Sequence, residues 1–247
     1  MIEIGFELEF CADMSGELAK LYIQKHFPSI MKRDQHIRRN RFAYHFDASV
    51  ELHSDRAFDS IEIVTPVWPL SQGMRALDKL LGILREIDAE TNHTCGLHVN
   101  MGFSDEDMNR LIDPVRLLLH LDERKWLSLY GRHDSDYAMP LKTDLTDNLK
   151  YHEMDLPRNY QLAELTLGRV VKWSNRDHIN SVSFKRLARN KSKGWVEFRL
   201  IGGDNYHKQM HTHKRAITHF ADCLRKSTER RITPALEKRA KAALRIR

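Results

Sequence analysis

The chain has 247 residues, 41% hydrophobic and 30% charged, with a formal net charge of +6. This suits one globular domain, or a domain with a tail. No run approaches the ~18 consecutive apolar residues of a spanning helix, and the opening MIEIGFELEF lacks the basic segment and apolar core of a secretory signal, so a cytoplasmic protein is expected. Cys11, Cys95 and Cys223 are too sparse for a disulfide framework or a zinc knuckle and read as small buried hydrophobes. Much of the basic excess follows Leu224, in LRKSTERRITPALEKRAKAALRIR. Residues 223–247 are therefore expected to form a basic helical tail, kept soluble by its charge or available to nucleic acid.

The opening run alternates. Ile2, Ile4, Phe6, Leu8 and Phe10 share one face, and Glu3, Gly5, Glu7 and Glu9 the other, the period of a half-buried strand. Residues 16–27 read as a helix, and a short strand is expected near Phe42–Phe46. SIEIVTP at 60–66 predicts a strand closed by Pro66. Ser71 is placed to cap a following helix with the stripe Met74, Leu77, Leu80, Leu81, Leu84 and Ile87. CGLHVNMGF at 95–103 returns to alternation. Ser104 with Asp107 makes a capping-box pattern ahead of one longer helix towards Tyr130, bent near Pro114.

Residues 131–158 are polar and read as a long loop or lid, followed by a helix near 159–172. SVSFKRL and WVEFRLIGG predict two more strands, and the chain then turns helical. Strands appear singly and in pairs among helices, so the expected class is α+β, with a mainly antiparallel sheet and helices packed on one face. Residues 1–222 are expected to form the main domain.

Four predicted strands turn ionisable groups away from their apolar faces: Glu7 and Glu9, then Glu62, then His98 with Asn100, then Glu197 with Arg199. Asp47 and Glu51 precede the second clear strand. If the strands share a sheet, the carboxylates crowd together and disfavour ionisation. Such a cluster is best relieved by cations, and carboxylate oxygens with an imidazole suit Mg²⁺ or Mn²⁺. The planar fork of Arg199 matches phosphate oxygens. Taken singly, each group also reads as a solvated strand face, a structural histidine or a weak cross-strand charge pair.

GFELEF at 5–10, FDASVE at 46–51, IEIVTP at 61–66, CGLHVN at 95–100 and WVEFRL at 195–200 occur in that order. Together they resemble the amidoligase family, a branch of the glutamine synthetase and glutamate–cysteine ligase superfamily, across most of residues 1–205. The resemblance implies a curved sheet of glutamine-synthetase-like catalytic type that binds ATP and divalent metal. It implies an ATP-dependent carbon–nitrogen ligase that phosphorylates a carboxylate and lets an amine or ammonia displace the phosphate. Carried over by motif, Glu7, Glu9, Glu62, His98 and Glu197 are metal ligands, and Arg199 contacts phosphate. Asp47 is a catalytic companion of Glu62. Asn100 stands where many relatives carry a second histidine and would face the nucleotide. Asp47-Ala48-Ser49 replaces a more usual Asp-Gly-Ser.

Lys142, Lys150, Arg158, Arg176, Lys185 and Arg186 are further candidate anion contacts, with Lys185 and Arg176 assigned to the nucleotide. The nitrogen donor could be ammonia, an amino acid, a peptide or a protein, and self-association is left open. Two other readings remain. A metal-dependent nuclease would use the same residue types, although IEIVTP has no lysine two residues after Glu62. A non-catalytic nucleic-acid binder would rely on the basic tail.

Overall fold

Alternation in the first twelve residues produces the central strand. In β1 (Ile2–Ala12), Ile4, Phe6, Leu8 and Phe10 are all buried, each stabilising the fold by about 1.5–3 kcal/mol. The computed structural model describes residues 1–27, 42–51, 59–133, 135, 138–141, 180–189, 194–229, 234 and 238. After β1 come α1 (Gly16–Lys25), β2 (Ala43–Phe46), β3 (Asp59–Val64), β4 (Trp68–Pro69), α2 (Leu70–Glu86) and β5 (Gly96–Phe103). Three short helices follow: α3 (Glu106–Arg110), α4 (Pro114–His120) and α5 (Glu123–Leu129). The described chain closes with β6 (Val182–Ser183), α6 (Lys185–Arg189), β7 (Val196–Gly202), a 3-10 turn (Tyr206–Lys208) and α7 (Met210–Lys226).

The strands form one seven-stranded sheet of order β2-β3-β1-β5-β7-β6, with β4 paired to β1 beyond the end of β3. All the strand pairs are antiparallel. The architecture is thus α+β with an open, mostly antiparallel sheet. Helices α2 and α7 cover its apolar face. A Cβ added at Gly73 of α2 would stand 2.2 Å from Ile4 Cγ2, so this glycine lets the helix approach β1 closely. Phe220 of α7 stacks on Phe198 of β7 with centroids 4.6 Å apart and planes within 4°. Cys11, Cys95 and Cys223 are buried and none is in a disulfide, as their spacing implied.

Three local expectations are corrected. Ser71 does not cap α2: the helix starts at Leu70 with Pro69 at the cap and no side-chain cap bond. β4 holds Trp68 and Pro69 against Ile4 and Glu3, so the chain passes directly from strand to helix and Ser71 is already inside it. The single helix expected from Ser104 to Tyr130 is three helices, each opened by an aspartate. Asp105 accepts from Asp107 N, Asp113 from Val115 N and Arg116 N, and Asp122 from Lys125 N. A short polar side chain that bonds nearby backbone N–H groups competes with helix continuation, and Pro114 fits the first turn of α4. Finally, SVSFKRL is a strand only at Val182–Ser183 and becomes helix at Lys185. Ser183 Oγ accepts from Lys185 N at 3.4 Å where the chain turns.

Of the expected 131–158 loop, Ala138 and Leu141 are fully buried, and Leu141 N donates to Glu123 Oε1 at 2.8 Å. The rest of that loop from 142, the helix expected near 159–172 and nearly all of the tail after 229 lie outside the described residues. Among the described residues, no helix is long and apolar enough to cross a membrane.

Candidate active site

The face of the sheet opposite α2 and α7 carries the ionisable residues, and strand register sorts them into rows. His45, Glu62 and Glu9 face one another across β2, β3 and β1. Val64, Glu7 and His98 form the next row across β3, β1 and β5. Gly5, Asn100, Glu197 and Ser183 form the third, across β1, β5, β7 and β6. The β5–β7 register shifts between Leu97 and Val99, which face Ile201 and Phe198. β7 therefore carries one extra residue opposite His98, a bulge of the kind that re-aims side chains. Arg199 sits in it, with its N–H donating to Ser181 O at 2.8 Å.

His98 is the hub. Its Nδ1 lies 3.3 Å from Glu7 Oε2 and 3.5 Å from Glu197 Oε1, and its Nε2 lies 3.4 Å from Glu9 Oε1. Asn100 Nδ2 donates to Glu7 Oε1 at 2.9 Å, and Gly96 N donates to Glu9 Oε2 at 2.6 Å. Tyr206 Oη donates to Glu9 O at 2.9 Å and so fixes the backbone behind that carboxylate. Asp47 Oδ1 accepts from Ser49 N and Oγ at 2.8 and 2.7 Å, a turn that holds its loop at the rim.

These groups surround a cavity of about 770 Å³ that Glu7, Glu9, Asp47, Glu62, His98, Glu197 and Arg199 all line. Burial in a crowd of carboxylates shifts their protons. Burial and the charges of Glu7, Glu9 and Asp47 push Glu62 up to about 8, against the pull of His98. Burial likewise raises Glu9, with Asp47 adding to it, while His98 and the Gly96 N–H oppose the shift. Glu7 goes the other way, to about 2. Burial would raise it, but the His98 hydrogen bond and charge, Asn100 and Arg199 outweigh that effect. Burial alone would lower His98, yet Glu9, Glu7 and Glu197 hold it above its ordinary value.

One donor atom each from Glu7, His98 and Glu197 lies within 4.8 Å of the other two. Opposite ligands around Mg²⁺ stand roughly 4 Å apart, so a small contraction suffices. Arg199 Nη2 approaches Glu197 Oε1 to 2.7 Å, but the pair lacks hydrogen-bond alignment, and Glu197 Oε1 and Arg199 Nε have no hydrogen-bond partner among the described residues. Buried polar atoms left without a partner are costly. Two oxygen donors and an imidazole fit a hard divalent cation, and Glu9 and Glu62 line the same cavity. Arg199 Nε is a buried donor with no partner among the described residues.

A sequence model of the family described as "Putative amidoligase enzyme" matches residues 1–217. The chain belongs to this amidoligase family. The match covers every strand of the sheet and each cavity-lining residue named above. No curated protein matches the chain.

Of the residues that the sequence singled out, Glu7, Glu9, Asp47, Glu62, His98, Glu197, Arg199, Lys185 and Arg186 all border the same cavity of this amidoligase-family chain. Asn100 stands just beyond it. It bonds to Glu7 and lines an adjoining pocket of about 240 Å³. Glu51 is not brought in: it lies near the surface with His93 at 3.7 Å, and Thr94 Oγ1 accepts from its N–H. Lys142, Lys150, Arg158 and Arg176 lie outside the described residues.

Sequence reading missed His45, Ser183, Trp195 and Arg132. The alternation of AYHF around Tyr44 was signal enough for His45. Ser183 carries the same signal, alternating with Val182 and Phe184 in SVSF, and Trp195 opens the WVEFRL run; Arg132 has none, because its place depends on where distant segments meet. Arg132 is fully buried. Its Nη1 donates to Cys95 O at 2.7 Å, and burial lowers its pKa.

Proposed function

We propose that the protein is an ATP-dependent carboxylate–amine ligase, built on a sheet of glutamine-synthetase-like catalytic type. The observation that carries this reading is the convergence of Glu7, His98 and Glu197 from three strands beside Arg199, in a cavity roomy enough for a phosphate chain and a second substrate. Family membership supports the ligase class.

Mg²⁺ or Mn²⁺ held by Glu7, His98 and Glu197, with Glu9 and Glu62 nearby, would neutralise phosphate charge as it develops. The chain's own groups do the rest. Arg199 holds a phosphate oxygen with the donors that Glu197 leaves free. Asn100 orients Glu7. The adjoining pocket has glycines at Gly5 and Gly102 where side chains would fill it, and Val64, Val67, Phe103 and Trp195 around them. That apolar lining suits the flat base of the nucleotide.

In the first step a substrate carboxylate oxygen bonds to the γ-phosphorus and the bond to ADP breaks. In the second the amine nitrogen bonds to the acyl carbon, the acyl–phosphate bond breaks, and the nitrogen loses a proton. Asp47, on the cavity rim, is the carboxylate assigned to that proton. The nitrogen donor is ammonia or the amine of an amino acid, peptide or protein.

The test is ADP release by the purified chain with Mg²⁺ and ATP, with and without mixed carboxylic acids and amines. Release that needs both acceptors and disappears in Glu7→Gln and Glu197→Gln is expected. DNA cleavage without ATP, or undiminished turnover in a folded Glu197→Gln protein, would overturn the reading.

A further inference from the structure

Trp195 borders both the acidic cavity and the apolar pocket, together with Glu7 and Val64. These three residues define the neck between the two spaces. Arg186 of α6 lies over the indole, its Cζ 5.5 Å from the ring centroid, and lines the acidic side of the neck. Among the described residues no carboxylate forms an ion pair with it. Arg199 differs in having a carboxylate close by, its Nη2 2.7 Å from Glu197 Oε1. A guanidinium lying on an indole is held in place by cation–π attraction while its N–H donors stay available for another ligand.

A ligand with an apolar end in the pocket and an anionic end at the Glu7–His98–Glu197 cluster must thread this neck. There it passes between Glu7, on the side where the cation would sit, and the indole of Trp195. Arg186 adds a positive group on the Trp195 side of that passage. We propose that Arg186, positioned by Trp195, grips the phosphate chain of a nucleoside di- or triphosphate between the two spaces. This rests on the nucleotide reading above, and takes it further by assigning a residue that none of the five family-like motifs contains. Arg186 is exposed, so its replacement spares the core. Trp195 does double duty, as wall of the pocket and as platform for the guanidinium.

The experiment is calorimetric titration of the full chain in Mg²⁺ with ADP, with inorganic tripolyphosphate and with adenosine. Arg186→Ala is expected to weaken ADP and tripolyphosphate about tenfold or more while adenosine changes less than threefold. Arg186→Lys should recover only part of the loss, because an ammonium lacks the planar fork. Trp195→Leu should weaken all three ligands. Circular dichroism and thermal melting confirm that each variant is folded. If the wild-type chain binds ADP but Arg186→Ala binds it equally well, this inference falls and the ligase reading stands. If the wild-type chain binds neither ADP nor tripolyphosphate, both fall.

Discussion

His98 and Glu7 are direct cross-strand partners, and the His98 Nδ1 stands 3.3 Å from Glu7 Oε2. The same nitrogen lies 3.5 Å from Glu197 Oε1 on the next strand. One imidazole edge thus spans two carboxylates from two different strands.

Removing a charged donor should abolish cation binding, whereas removing its support should only weaken it. Glu197→Gln is expected to lose measurable Mn²⁺ binding by calorimetry. Asn100→Ala, which deletes the 2.9 Å bond to Glu7 Oε1, should lower Mn²⁺ affinity by about 10- to 100-fold. Equal affinity in Asn100→Ala and wild type would mean that Glu7 needs no such orientation.

Metal-free stability should fall as pH rises through neutrality. The folded chain keeps the Glu62 proton to about 8, while the unfolded chain releases it near ~4.3. Across that window the folded state binds more protons, so stability declines with pH. His98, also raised, adds to the decline from roughly 6.5 upward. Glu7, at about 2, acts oppositely and only at the acid end, where stability climbs as pH rises from about 2 towards the ordinary carboxylate range. Mg²⁺ at the Glu7–His98–Glu197 cluster is favoured by an ionised Glu62 nearby, so its thermal shift should be larger at pH 8 than at pH 6. Melting curves of wild type and Glu62→Gln test this. Matching slopes against pH would remove Glu62 from the explanation.

Gly73→Ala should destabilise the protein even though alanine favours helix. The propensity gain is about 1 kcal/mol. Against it, the new methyl would meet Ile4 Cγ2 at 2.2 Å, and overpacking of this kind costs about 1–3 kcal/mol. A net loss of roughly 1 kcal/mol in urea unfolding is expected. A gain would show that α2 can lift off β1 at little cost.

Asp113→Ala should cost about 1 kcal/mol, because it orphans the Val115 and Arg116 N–H groups at the start of α4. Asp113→Asn, which keeps an acceptor, should cost less. The order of the two variants in denaturant midpoint is the measurement, and a reversal would rule out capping as the cause.

The residues themselves determined which way each side chain points. Pleating gives β1 its two faces from local sterics alone, so Glu7 and Glu9 had to oppose Ile4, Phe6, Leu8 and Phe10 wherever the strand went. The same holds for Glu62 in β3 and for Glu197 in β7. Partnership was another matter. The order β3-β1-β5-β7 joins segments distant in the chain, and registers such as Glu9 with Glu62 and Asn100 with Glu197 are selected by burial of whole faces. The bulge that aims Arg199, the Arg186–Trp195 stack at the neck and the close seat of Gly73 on Ile4 likewise exist only once non-local segments pack. No local period encodes them, because each is a contact between elements rather than a property of one.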